Sequence, residues 1–420
     1  MSQKQTNGKQ PLERRTFLKA IGGGAIVAVA NPSRLSLAGE IKPEPAPPKP
    51  TAKSSKVICV GVVGGNFGCS FYWHEHPNSR VTAVCDIRPD RLERMKEVFH
   101  CNTGYGNFHD LIKDKNVDAV AVFTPAPFHV YHATKAMTAG KDVISAVPAA
   151  MSLEECEQLL DCVKKTGRTY MMAETSCYRQ EIISCKKWAA ESKFGTIFYC
   201  EAEYHHGGLD SLMYDERGLP TWRLGFPPMH YPTHSTSMIV WVTGERLTEV
   251  TAVGWGDGHE ILQTNLYENP FWNETAFFKT SGGHCARVSV FWNVASGGTE
   301  RGQFFGDKMS YMMARPGGVP GMIGYPAPKE RMEVYKVPQW WKTELPEPLR
   351  HDSGHGGSHT FLTHEFIDGL VNGRRPAIDV YEALAYTAPG IVAHESVLRD
   401  GETLKIPDFG RAGREAGKSS

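Results

Sequence analysis

The chain of 420 residues has no charge imbalance, no long apolar run, no cysteine pairing pattern and no internal repeat. Each absence removes a class of function. The 46 basic and 46 acidic residues cancel, so there is no basic stripe for nucleic acid and no charge run for anionic lipid. The apolar stretch nearest the N-terminus, Ala20 to Ala30, is too short to span a bilayer. The ten cysteines contain no CxxC pair. Cys59 and Cys85 fall in expected core strands, and Cys156 and Cys162 in one expected helix, which reads as buried thiols with room for at most an isolated disulfide. No obvious carboxylate pair offers acid–base chemistry; Glu201 and Glu203 can share a strand face, where such pairs are more often solvated.

What is present begins with a leader. Glu13-Arg14-Arg15-Thr16-Phe17-Leu18-Lys19 is a twin-arginine pattern, followed by small-residue cleavage sites at Ala28-Val29-Ala30 and Ser36-Leu37-Ala38. Residues 1–38 are therefore expected to be an export signal, and the protein to work in the periplasm or outside the cytoplasm. Residues 39–55, rich in proline, read as a semi-rigid linker.

The organising stretch is Val57 to Asp86. An apolar run, Val57 to Val63, reads as a strand buried on both faces. A glycine-rich turn (Gly64, Gly65, Asn66, Phe67, Gly68), a predicted helix, and a second strand ending at Asp86 follow it. An acidic residue about 20 positions after such a turn is the dinucleotide-binding fingerprint. Its glycines let backbone N–H groups approach a pyrophosphate, and Asp86 suits ribose hydroxyls and repels a 2′-phosphate, favouring NAD over NADP. Arg88 weakens that preference without reversing it. Asn66 and Cys69 stand where further glycines are usual.

Strands and helices then alternate through Val117 to Phe123, Phe128 to Ala139, Asp142 to Ser145, a helix opened by the capping box Ser152-Leu153-Glu154-Glu155, and Arg168 to Ala173. That grammar predicts a doubly wound parallel sheet over residues 56–175. From about residue 176 longer strands with hairpin-like spacing appear: Thr196 to Tyr204, Thr248 to Trp255, Glu274 to Thr280 and Cys285 to Val294. They predict an α+β domain, 176–420, with an open, mostly antiparallel sheet, to which helices Phe361 to Leu370 and Val380 to Leu398 return.

The layout resembles the Gfo/Idh/MocA oxidoreductase family. The residues that carry the resemblance are the Gly64–Gly68 turn, Asp86, Thr124-Pro125 with His129, Gly140-Lys141-Asp142-Val143, and His234 seven residues before Trp241 of a WxxGE segment. Where the family pattern has Glu-Lys-Pro, this chain has Ala146-Val147-Pro148, and where it has an aspartate four residues before the histidine, this chain has His230. An ordinary alcohol dehydrogenase so altered lacks a proton acceptor. The chain also resembles the family's NAD-dependent glycoside hydrolase branch, whose type activity is α-N-acetylgalactosaminidase. That likeness rests on Val147-Pro148-Ala149-Ala150, Met171-Met172-Ala173-Glu174, Cys177-Tyr178, Tyr204-His205-His206, Trp222-Arg223, Tyr231-Pro232-Thr233-His234 and Gly354-His355-Gly356-Gly357, and it breaks at Ser358-His359.

The resemblance implies a tightly bound, recycled NAD and a sugar or glycoside substrate. It implies oxidation at C3, loss of the C2 proton and elimination at C1. It places His234 and Tyr231 at the reacting hydroxyl and C2 proton, with Tyr204 and His206 opposite. Thr124, Pro125, His129, Trp222 and Arg223 join the cofactor site, and His230 and His355 the substrate site. A homo-oligomer is expected. Three other readings stay open: a conventional secreted sugar dehydrogenase, a sugar- or partner-binding protein that has lost activity, and a metal hydrolase suggested by the spacing of His230/His234 and His351/His355/His359. Pro232 and the glycines read as loops there, which deprives that spacing of its helical meaning, so no metal is expected.

Overall fold

The computed structural model describes residues 55–411, apart from 208, 209, 296, 297 and 329. The twin-arginine segment, and the linker up to residue 54, lie outside the described residues.

The first layer is a six-stranded parallel sheet. Its strands are β1 (Ile58–Val63), β2 (Ser79–Cys85), β3 (Gly104–Tyr105), β4 (Ala119–Val122), β5 (Asp142–Ser145) and β6 (Tyr170–Met172), in the order β3-β2-β1-β4-β5-β6. Val62 pairs with Val84 on one side and Ala121 on the other, and all three are fully buried. The uninterrupted apolar runs exist because helices cover both faces. These include α1 (Pro89–Phe99), α2 (Phe108–Lys113), α3 (His129–Thr138) and α4 (Leu153–Thr166). Helix α4 starts as its sequence dictates. The Ser152 hydroxyl accepts from Glu155 N at 3.2 Å, Glu155 accepts from Met151 N at 2.7 Å, and Gly167 closes the helix at φ 63°. Such a cap contributes about 1 kcal/mol.

The expected helix after the glycine turn is absent. Only Phe67–Ser70 forms one 3₁₀ turn, and the chain then runs irregularly to β2. The reason is its aromatic content. Phe71 and Trp73 are both sunk in the core, Phe71 stacked on Phe123 with centroids 4.4 Å apart. An α-helix here would carry one of these rings to its outer face.

The second layer is a nine-stranded mixed sheet. It contains β7 (Ile197–His205), β8 (Leu247–Trp255), β9 (Asn273–Thr280), β10 (Cys285–Phe291), β11 (Thr299–Gly306), β12 (Ser310–Met312), β13 (Met322–Tyr325), β14 (Arg331–Val334) and β15 (Leu404–Lys405). The order is β14-β13-β12-β11-β7-β10-β9-β8-β15, with β7 and β10 parallel and the other pairs antiparallel. One face packs on α5 (Gln180–Ala190), α6 (Thr233–Thr243) and the returning α8 (Val380–Leu398), while α7 (Gly354–Asn372) reaches back to β1 and the glycine turn. The Tyr231 region is thus no loop throughout. Pro232 is the residue before the first turn of α6, the place where its missing N–H costs nothing, so it starts a helix there. Residues 355–357 do leave helical geometry, kinking the start of α7.

Glu201 and Glu203 share a strand face, each tied to an arginine: Glu201 to Arg287 at 2.8 Å and Glu203 to Arg301 at 2.6 Å. The ten cysteines are free thiols, Cys285 alone exposed.

Candidate active site

Two half-sites meet where the carboxyl ends of the parallel strands face the second sheet. The first lies at β1 and β4, where the strand order reverses and a crevice opens. Gly64 sits there at φ +99°, and a Cβ on it would stand 2.3 Å from the Phe123 carbonyl oxygen. Only glycine fits. Asp86 is buried, one carboxylate oxygen accepting from Gly65 N at 2.6 Å and the other from Arg88 N at 2.8 Å. Asn66, at the lip of the turn, is exposed. A close-packed glycine turn with a carboxylate beneath it fits a pyrophosphate and its ribose. Phe67 offers its backbone only, since its ring turns inward on Phe71 and Phe123.

Arg88 is held by Asp90 at 2.8 Å and Glu216 at 2.6 Å. A guanidinium shared by two carboxylates is poorly placed to receive a 2′-phosphate, which Asp86 would repel besides. The Asp86→Ser variant should weaken NAD binding roughly tenfold, about 1.4 kcal/mol, and narrow its advantage over NADP. Equilibrium titration with both dinucleotides measures this; an unchanged ratio would show that Asp86 does not discriminate.

The second half-site is built around α6. His234, in the first helical turn, has its Nδ1 2.8 Å from Glu174 Oε1 and 3.0 Å from Ser176 Oγ. Ser176 donates to Glu300 at 2.7 Å, and Arg179 donates to the other Glu300 oxygen at 3.2 Å. A carboxylate can only accept, so Nδ1 carries the proton and Nε2 is the nitrogen left for chemistry. Glu174, at the end of β6, is fully buried and also accepts from Ser176 N at 2.9 Å. Burial alone would lower the pKa of His234, but the adjacent Glu174 outweighs it and raises the value. Burial likewise pushes the Glu174 carboxyl up, and His234 more than offsets it, leaving it lowered. Both directions describe one charged pair.

A step that needs neutral His234 gains rate as pH rises through that raised value. The acid limb of kcat/KM should therefore have its midpoint above the ordinary 6.5. A midpoint below it would detach His234 from the rate-limiting proton transfer.

Tyr204 and Tyr231 flank this histidine, with ring centroids 4.7 and 5.2 Å away, and stand 5.8 Å from each other. Burial raises both phenol pKa values, so each is a hydrogen-bond donor at neutral pH. Tyr204, Tyr231, His206, Arg223, Phe226 and Trp292 line one pocket. The Arg223 guanidinium lies over Trp222 at 4.1 Å and partly offsets the effect of burial on Tyr231. His206 is half-buried, its pKa lowered by desolvation. His355 is exposed beside Phe67, within electrostatic reach of His234 and Glu300.

Three expectations change. His129 does not face the dinucleotide cleft. It is buried, with Nδ1 2.7 Å from Pro148 O and Nε2 2.8 Å from Thr124 O. It staples the two loops that follow β4 and β5, and so acts on Thr124-Pro125 from behind. His230 is turned away from the pocket and packs against His394 at 4.9 Å, where burial lowers its pKa to about 3. The cause is its place in the Pro228–His230 turn, whose neighbour Met229 N is anchored on buried Glu274 at 2.6 Å. Arg223, expected at the cofactor, lines the tyrosine pocket. Among the described residues no group of three or more His, Cys, Asp or Glu could hold a metal ion. Sequence reading missed Glu174, Ser176, Arg179 and Glu300 as site residues. Glu174 carried one signal, an acidic residue at the carboxyl end of a parallel strand.

Residues 57–174 match the model of the oxidoreductase family with an NAD-binding Rossmann fold, and residues 324–415 match the glycosyl hydrolase 109 C-terminal domain. A glycosyl hydrolase family 109 protein of Solibacter usitatus is 26% identical over 448 residues, covering 95% of this chain and 97% of that one. An alpha-N-acetylgalactosaminidase of Tannerella forsythia is 24% identical over 465 residues, covering 95% and 97%. Among solved structures, levoglucosan dehydrogenase in complex with NADH and L-sorbose superposes with a TM-score of 0.71 at 17% identity, covering 84% of this chain and all of that one. Scyllo-inositol dehydrogenase from Lactobacillus casei with bound NAD(H) and scyllo-inositol gives 0.64 at 17% identity, covering 83% and 99%.

Proposed function

We propose that this chain, whose residues 57–174 match the NAD-binding oxidoreductase family model and whose residues 324–415 match the glycosyl hydrolase 109 C-terminal domain, is an exported, NAD-dependent glycosidase. It acts by transient oxidation at sugar C3, deprotonation at C2 and elimination of the C1 substituent. The observation that carries this reading is the buried Glu174–His234 pair beside Tyr204 and Tyr231. It provides a base of tuned strength where an ordinary family dehydrogenase would use the lysine that Val147 replaces.

When bound, the dinucleotide supplies reversible hydride transfer at the sugar carbon. Gly64, Gly65, Gly68 and Asp86 would hold it, with Thr124 and Pro125 following the neighbouring strand β4. His234 accepts the hydroxyl proton at Nε2, and Glu174 stabilises the imidazolium that forms. A C3 carbonyl acidifies the C2 proton, so a base of ordinary strength can remove it. The C1 substituent leaves with the electron pair, water adds back across the double bond with a proton returned to C2, and return of the hydride and the hydroxyl proton would restore the alcohol at C3. Tyr204 and Tyr231, kept neutral by burial, donate hydrogen bonds to sugar oxygens as charge develops. His206 and Arg223 fix the ring from the pocket wall.

The reaction consumes no dinucleotide, which suits a protein working outside the cytoplasm. The name of the Tannerella forsythia relative makes α-N-acetylgalactosaminides the first substrates to try. Purified enzyme should release the aglycone for many turnovers with no added NAD and no build-up of NADH. Stoichiometric NADH formation from free sugars would overturn the proposal in favour of a conventional sugar dehydrogenase.

A further inference from the structure

A chain of hydrogen bonds runs from the glycine turn through His359 to His355, which lies within electrostatic reach of His234 and Glu300. His359, on the regular part of α7, has its Nδ1 2.8 Å from the Ser70 carbonyl oxygen. A carbonyl can only accept, so this nitrogen carries a proton. His359 is buried between rings, stacked on Phe71 at 4.6 Å and edge-on to Phe67 at 5.5 Å, and burial holds its pKa near 4. At neutral pH its Nε2 is therefore a bare acceptor. That acceptor lies 2.8 Å from His355 Nδ1, which must be the donor. The remaining nitrogen of His355, Nε2, is left unprotonated.

We infer that His355 is a second proton acceptor of the cleft, its tautomer set by His359 and the Ser70 carbonyl. His359 is a positioning residue. This rests on the glycosidase reading for its chemical purpose, because an elimination needs one group at the oxidised hydroxyl and another at the neighbouring C–H. The two histidines are wired alike and backed differently. In both the wiring leaves Nε2 as the unprotonated nitrogen, His234 with a carboxylate behind Nδ1 and His355 with a neutral imidazole. A carboxylate makes its histidine the stronger base, while an imidazole leaves its histidine free of a proton at neutral pH. His234 thus suits the hydroxyl and His355 the C2 proton, which it accepts at Nε2 as the C–H electron pair becomes the C1–C2 double bond and the C1 substituent departs.

The wiring also links His355 to the cofactor turn. Phe67 touches both histidine rings, at 5.7 and 5.5 Å, and Ser70 closes the same 3₁₀ turn.

The test is the tautomeric state read by nitrogen NMR of the full chain labelled with ¹⁵N-histidine, using His355→Gln to assign the signal. At neutral pH His355 should be the Nδ1–H form. In His359→Phe, which keeps the stack on Phe71, it should shift toward the Nε2–H form. Finding Nε2–H in the unaltered protein, or no change in His359→Phe, would overturn the inference. A second readout separates this from the glycosidase reading. Deuterium entry at C2 of a bound sugar in D₂O should slow at least tenfold in His359→Phe with KM little changed. The Nδ1–H tautomer without any C2 exchange in the unaltered protein would sink the chemical role while keeping the wiring.

Discussion

Glu174→Gln is expected to lower kcat/KM by about 10²–10⁴, the usual worth of a positioned acid–base group. The substitution keeps the shape of the side chain and removes its charge. His234 then loses the anion that stabilises its imidazolium and the acceptor that selects the Nδ1–H tautomer, because an amide can present either N–H₂ or C=O to it. The acid limb of the pH profile should move to lower pH, since burial without Glu174 favours the neutral imidazole. Two signatures thus travel together, a lower plateau and a displaced limb. Ser176 and Glu300 stay in place, so dinucleotide affinity should be unchanged. A variant with lost activity and an unmoved limb would mean that His234 is not the titrating base.

Gly64→Ala should abolish useful dinucleotide binding, with a loss of at least a hundredfold, about 2.7 kcal/mol. The methyl group would stand 2.3 Å from Phe123 O, far inside any contact distance, and alanine at φ +99° is strained in its own right. Relief requires β1 and β4 to part at the point where the crevice forms. Gly140→Ala is the control. It shares the positive φ, at +84°, but nothing lies within 4 Å of the added carbon. It should lower stability by about 1 kcal/mol and leave NAD affinity alone. Fluorescence titration of the two variants, with thermal melts alongside, separates local clash from general strain. Equal NAD affinity in Gly64→Ala and the parent would refute the placement of the cofactor.

The parallel sheet was legible because its strands are short, apolar and separated by capped helices, each a local signal. Asp86 could be read from its distance to the turn. The helix expected after Gly68 was not, because aromatic residues that look amphipathic in sequence are drawn into one core beside Phe123 and α7. His234, Tyr231 and Tyr204 could be named from motifs, yet their partners could not. Glu174 and His234 lie 60 positions apart and Ser176 and Glu300 124 apart, and a pairing across such distances leaves no trace in either neighbourhood. Glu300 sits on β11, whose pattern is broken by Arg301 and Gly302 and reads as no strand. His230 misled for the opposite reason: its neighbour Tyr231 lines the pocket, while the tight turn at Pro228 rotates His230 toward His394.

The central claim is that a glycosidic bond is broken through oxidation and elimination. The most direct measurement is cleavage of α- and β-nitrophenyl glycosides in D₂O, with mass spectrometry of the released sugar. Nitrophenol release with one deuterium retained at C2 is the predicted result. Release of an undeuterated sugar would mean direct hydrolysis, and would contradict proton transfer by His234 and His355 and hydride transfer by the bound dinucleotide.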